Sequence, residues 1–135
     1  LIELHNNIQA YRGLDIVDEI VKKNNISYSN EKISFFNCDV VQDDLPNNFD
    51  LVIIRDFFIH ISNKDINEVI LKVKKINARY MAINTLPALE KNIDLFAFGH
   101  HRDINIEKTP FNLNNPYLKL KDFDRELNVY DLKKD

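Results

Sequence analysis

Three apolar, strand-like runs that each close on an acidic residue constrain this chain more than any other feature. The first is Tyr11-Arg12-Gly13-Leu14-Asp15-Ile16-Val17, the second Ile33-Ser34-Phe35-Phe36-Asn37-Cys38-Asp39, and the third Asp50-Leu51-Val52-Ile53-Ile54-Arg55-Asp56. The intervals between Asp15, Asp39 and Asp56 leave room for one crossover between successive strands. In an open α/β sheet, ligands lie outside the carboxyl ends of the parallel strands. The pattern therefore predicts a three-layer α/β sheet with the three carboxylates at one edge, suited to a polar, hydroxyl-rich cofactor.

Bulk properties narrow the classes further. At 135 residues the chain is expected to form a single domain spanning residues 1–135. Hydrophobic residues make up 44% and charged residues 29%, a balance that argues against wholesale disorder. Net charge is −3, and the basic residues are dispersed apart from Lys72, Lys74, Lys75 and Arg79, so no nucleic-acid partner is expected. Cys38 is the sole cysteine, which points to a reducing, cytoplasmic setting. No apolar run approaches the ~20 residues of a membrane helix, so no membrane partner is expected. The first residue is Leu rather than Met, and the reading is of a chain cut or missing its start. The abundance of Asn and Ile reads as compositional bias of the source.

The elements follow from periodicity. Leu1 to Asn7 resembles the tail of a helix, and Ala10 to Ile16 a strand. A helix follows from Val17, with Val17, Ile20 and Val21 on one face and Lys22, Lys23, Asn24 and Asn25 toward solvent. Tyr28 to Glu31 is a turn, and Lys32 to Asn37 a strand. Phe49 to Ile54 is a continuous apolar run of the kind buried on both faces of a parallel sheet. Ser62 and Asp65 form a capping signature ahead of Ile66, Val69, Ile70, Val73 and Ile76, the helical spacing. Arg79 to Thr85 is another strand. Beyond Leu89 come the alternating Asp103 to Glu107, a loop rich in Asn and Pro, and a β-rich end built on Leu118, Leu120, Phe123 and Leu127 to Leu132.

Several residues carry chemistry. Asp15, with Gly13 allowing close backbone approach, can accept hydrogen bonds from both hydroxyls of a ribose, or serve as a cap for the following helix. Asp39 can accept from an exocyclic amine, or cap its own loop. Asp56 and His60, four residues apart, can share one face of a short helix as an acid/base or orienting pair, with His60 alternatively packing the start of the capped helix. Arg55 can instead pair with Asp56 or Asp39. His100 and His101 are adjacent and lack metal-ligand spacing, so no metal is expected. Cys38 reads as a small buried residue. Only two glycines are present, Gly13 and Gly99, which disfavours P-loop and dinucleotide sites.

Over about Tyr11 to Pro116 these segments resemble a class I S-adenosylmethionine-dependent methyltransferase from its second strand onward. Tyr11 to Val17 is similar to the family's second strand, Phe35 to Val40 to its third, and Leu45 to Val52 with Arg55 to His60 to its fourth-strand motif. Asn105 and Pro110-Phe111 resemble an acceptor-side loop of one subgroup. The resemblance implies a Rossmann-like, mostly parallel sheet with antiparallel C-terminal strands, N-terminally incomplete because the glycine-rich first strand would stand before residue 1. It implies S-adenosyl-L-methionine as cofactor, with Asp15 and Ile16 at the ribose, Asp39 and Val40 at adenine, and Arg55 nearby. Asp56 and His60 would be the catalytic residues facing a small-molecule or saccharide acceptor. The competing expectations are a non-catalytic methyltransferase-like remnant acting as an interaction module, and a nucleotide-sugar enzyme on a similar sheet. Without a strand beside them, the runs ending at Asp15 and Ile54 either pair directly or leave a gap, and a gap predicts self-association.

Overall fold

The computed structural model describes residues 7–97 and 99–134. The helical tail expected over Leu1 to Asn7 falls, but for Asn7, outside them. The chain divides into two compact units, one up to Asp44 and one from Leu45 onward.

The first unit is a β-α-β unit: β1 (Tyr11–Asp15), α1 (Asp18–Tyr28) and β2 (Ile33–Asn37). Strands β1 and β2 pair in parallel, from Tyr11 opposite Ile33 to Asp15 opposite Asn37. On α1, Val21 is buried, whereas Val17 and Ile20 remain over 40% exposed, so the expected apolar face is narrower than its pattern. Asn25 does not simply face solvent. Its Nδ2 donates to the Phe35 carbonyl at 2.8 Å and its Oδ1 accepts from the Phe35 amide at 3.0 Å. This side chain satisfies backbone groups of β2 that would otherwise go unpaired. The helix also runs through Tyr28, one residue into the expected turn. Gly13 is explained by packing within the sheet: a Cβ there would lie 2.8 Å from Phe35 Cε1. The Phe35 ring is itself held between Tyr11 and Tyr28, with centroids 5.9 and 6.5 Å away.

The second unit contains β3 (Leu51–Ile54), a 3-10 turn (Phe58–His60), α2 (Asn63–Lys75), β4 (Tyr80–Thr85), β5 (Leu118–Asp122) and β6 (Arg125–Asp131). Its sheet has the order β3-β4-β6-β5. Strands β3 and β4 are parallel, with Leu51 opposite Tyr80, while β6 runs antiparallel to both β4 and β5. The expected parallel pairs with an antiparallel C-terminal end are thus present. Helix α2 starts as its sequence dictates. Ser62 Oγ accepts from the Asp65 amide at 3.1 Å and donates to Asp65 Oδ2 at 2.7 Å. Ile66, Val69, Ile70 and Val73 are all buried.

The expectation that the Phe49 to Ile54 run is buried on both faces is corrected. Leu51 and Ile53 are 45% and 57% exposed, and only Ile54 is buried. The strand covered on both faces is β4, where Met81, Ala82 and Ile83 are each at most 2% exposed. The reason is position: among the described residues, β4 lies between two strands, whereas β3 has a single hydrogen-bonded neighbour. The runs ending at Asp15 and Ile54 therefore belong to different sheets.

Asparagine also turns out to have a structural use that composition alone did not suggest. Asn48, Asn77, Asn112 and Asn115 all adopt positive φ, between 53° and 64°. Asparagine is among the few residues with a Cβ that enter this region readily, and it supplies turns that glycine commonly makes. Asn77 follows the C-cap of α2 and ends that helix in the manner usual for glycine. Among the described residues, no helix is long and apolar enough to cross a membrane.

Candidate active site

In the first unit, parallel pairing brings the carboxyl ends of β1 and β2 side by side, and the Cys38 amide donates to the Asp15 carbonyl at 3.0 Å. Asp15 is half-buried, and its Oδ1 accepts from the Val17 amide at 2.8 Å. The carboxylate is thereby fixed at the entry to α1, whose N-cap residue Val17 has no side chain able to cap. A carboxylate has lone pairs well beyond that one bond, so Asp15 fits a ligand hydroxyl pair. Ile16 is 62% exposed beside it, and its carbonyl accepts from Asn37 Nδ2 at 2.9 Å.

Asp39 is more heavily committed. Its Oδ1 accepts from the Val41 and Gln42 amides at 3.0 and 3.2 Å, and its own amide donates to Asp43 Oδ2 at 2.8 Å. It closes the turn after β2, the loop-capping role, and Oδ2 is the oxygen that an exocyclic amine would have to use. Val40 is half-buried in the same turn. Cys38 is buried, as its sequence setting implies.

In the second unit, Arg55, Asp56 and His60 follow the end of β3. Asp56 and His60 do not share a helix face, which corrects the sequence expectation. The 3-10 turn covers only Phe58–His60, and Asp56 precedes it in left-handed backbone with φ 54°. The physical reason is that Asp56 takes left-handed backbone, and a right-handed helix cannot run through that conformation. Asp56 is tied instead to Asn84 at the end of β4. The Asp56 amide donates to Asn84 Oδ1 at 3.0 Å, and Asn84 Nδ2 donates to Asp56 Oδ1 at 2.7 Å. Two guanidiniums stand close by: Arg55 Nε is 3.7 Å from Oδ2, and Arg125 Nη1 is 3.9 Å from Oδ1. Their short bonds go elsewhere, from Arg55 to Asp122 at 2.7 Å and from Arg125 to Asp103 at 2.8 Å.

His60 is exposed, and its ring centroid lies 6.3 Å from that of His101. Arg102 organises this corner. It donates through Nη1 to the Phe58 carbonyl at 2.6 Å, through Nη2 to Asn63 Oδ1 at 2.7 Å, and through Nε to the Ile93 carbonyl at 3.2 Å. Burial draws its pKa below the usual arginine value, partly offset by the nearby Asp94. An arginine is still charged at any physiological pH, so these bonds do not depend on its titration.

Sequence reasoning singled out Asp15, Asp39, Asp56 and His60 but not Asn84 and Arg125, which contact Asp56, or Arg102, which holds the Phe58 carbonyl. For Asn84, a polar residue late in an otherwise apolar strand was the available signal. For Arg102, it was the charged cluster after His101. Arg125 carried none, because its partner Asp103 is remote in sequence.

No family model matches the chain, and no curated protein matches it. Among solved structures, the chain is similar to the PH0226 protein from Pyrococcus horikoshii OT3, with a TM-score of 0.65 and 20% identity over 90% of this chain and 71% of that one. It is also similar to magnesium protoporphyrin IX methyltransferase (ChlM) from Synechocystis PCC 6803 with bound SAH, with a TM-score of 0.47 and 22% identity over 58% of this chain and 37% of that one. The likeness to the PH0226 protein is one of fold: the two chains share a mixed α/β architecture.

Proposed function

We propose that this chain is the core of an S-adenosylmethionine-dependent methyltransferase acting on a small-molecule or saccharide acceptor. The observation that carries the reading is Asp15, a half-buried carboxylate fixed by the Val17 amide at the carboxyl end of a parallel strand pair, in a mixed α/β fold. In this reading Asp15, with Ile16 beside it, binds the ribose, while Asp39 and Val40 flank the adenine. From the second unit, Arg55 would contribute a cofactor contact, and Asp56 and His60 would serve the acceptor. The cofactor supplies an electrophilic methyl group on a sulfonium. The residues of this chain position the acceptor for in-line attack, which is the main requirement of such a displacement. Asp56 or His60 would take the proton that an acceptor hydroxyl gives up as it receives the methyl group.

A second reading, a methyltransferase-like module without catalysis, draws on one specific observation. Arg55 is engaged by Asp122, and Asp39 by its own turn, so both have structural work independent of any ligand. Calorimetric titration with S-adenosylhomocysteine separates the two readings. The enzyme reading expects saturable binding that Asp15→Ala weakens about 10- to 100-fold, the equivalent of one charge-assisted hydrogen bond of about 1.5–3 kcal/mol. Absence of binding, or equal binding by parent and Asp15→Ala, would overturn it.

A further inference from the structure

We propose that Asn84 is a positioning residue for Asp56, fixing both the backbone and the carboxylate direction of the acceptor-side acid. This rests on the role given to Asp56 above. Asn84 is only 5% exposed and sits next to the last residue of β4, after the apolar Met81, Ala82 and Ile83. A buried amide is costly unless both of its hydrogen-bonding groups find partners. Here a single residue provides both. Asn84 Oδ1 takes the Asp56 amide and Asn84 Nδ2 holds Asp56 Oδ1.

The pairing does two things. Strand β3 stops hydrogen bonding to β4 at Ile54 opposite Ile83, so the Asp56 amide leaves the strand ladder, and the Asn84 side chain receives it. That bond stabilises a left-handed residue, a conformation that aspartate tolerates but does not favour. The second bond then sets the rotation of the carboxylate. Among the described residues, Asn84 makes the one side-chain hydrogen bond to that group, because Arg55 and Arg125 stand 3.7 and 3.9 Å away and direct their short bonds to other carboxylates. The Asp56 side chain is 57% exposed, so an acid open to solvent is aimed by a neighbour that is not. Removing Asn84 would release both the backbone and the carboxylate direction of the acid.

The test uses the whole chain with Asn84→Ala and Asn84→Asp, followed by amide hydrogen exchange and carboxyl-carbon NMR. In Asn84→Ala, exchange of the Asp56 amide is expected to rise at least ~10-fold while the Ile83 amide keeps its protection, since the lost bond is local. Asn84→Asp keeps an oxygen for that amide but removes the donor to the carboxylate. The amide should stay slow while the Asp56 carboxyl resonance moves. With S-adenosylmethionine and any neutral saccharide the parent methylates, Asn84→Ala should lower kcat and leave the KM for S-adenosylmethionine unchanged. If Asn84→Ala does not fold, Asn84→Asp decides by itself. An unmoved Asp56 carboxyl resonance in Asn84→Asp, or unchanged Asp56 exchange in a folded Asn84→Ala, would overturn the proposal. A parent that fails to bind S-adenosylhomocysteine would instead remove the methyltransferase reading, and the NMR data alone would then decide the Asn84–Asp56 pairing.

Discussion

Asn92 and Asn105, both buried, hold each other by backbone and side chain at once. The Asn105 amide donates to Asn92 Oδ1 at 2.8 Å, and Asn92 Nδ2 donates to the Asn105 carbonyl at 2.9 Å. Asn92 Nδ2 also reaches the Thr109 carbonyl at 2.9 Å, while Asn105 Nδ2 reaches those of Pro87 and Leu89 at 3.1 and 2.9 Å. Among the described residues, the long segment between β4 and β5 has no helix or strand, and these two side chains stand in for the missing ladder. They hold Ile104 and Ile106, which are 2% and 0% exposed, in the core.

Asn92→Ala is therefore expected to destabilise the chain by about 2–4 kcal/mol, because several buried backbone groups lose their partner together. Denaturant titration measures this directly. A change under about 0.5 kcal/mol would mean the segment is held by its isoleucines alone.

Gly13→Ala is expected to cost about 1–3 kcal/mol through overpacking against Phe35, whose ring is held by Tyr11 and Tyr28. In a Phe35→Leu background the penalty should shrink, giving a coupling above about 0.5 kcal/mol in a double-mutant cycle. Simple additivity of the two changes would show that Gly13 is needed for something other than this contact.

Asn77 separates backbone from side-chain effects. With φ at 58°, Asn77→Ala should cost about 1–2 kcal/mol, the penalty for an ordinary residue in left-handed backbone. Asn77→Gly relieves that strain and loses only exposed bonds to Asn48 and Lys133, so it should be the milder change. The ranking is read from thermal melts, and glycine proving worse than alanine would contradict the helix-ending role.

Tyr130 gives a pH signature. Burial is the main reason its phenol is pushed from the ordinary 10.0 to about 12, with Asn128 acting in the opposite sense and Glu107 adding to the rise. The folded state favours the neutral phenol, so its contribution to stability is complete below pH 10 and is lost as pH rises toward 12. Unfolding free energy measured across this window should fall for the parent and fall less steeply for Tyr130→Phe. The same slope in both would rule out Tyr130 as the titrating group. The variant should also be less stable at neutral pH, because Tyr130 Oη donates to the Leu113 carbonyl at 2.9 Å.

What the sequence determined by itself is local. Periodicity placed α2 and its Ser62–Asp65 cap, the strand ends at Asp15 and Ile54, and the antiparallel end of the chain, because each depends on residues within a few positions of one another. Resemblance in motif order likewise led to the fold class. The rest was decided by contacts between distant segments. Nothing near Phe49 to Ile54 says that this run has one neighbour while Tyr80 to Thr85 has two, and burial follows neighbours as much as composition. The pairing of Asp56 with Asn84, the ion pair of Arg125 with Asp103, and the reach of Arg102 to Phe58 and Asn63 likewise arise only when strands and loops far apart in sequence meet. A sequence shows which side chains can hydrogen-bond; which of them do so depends on loop closures and sheet order, and these are fixed only as the whole chain packs.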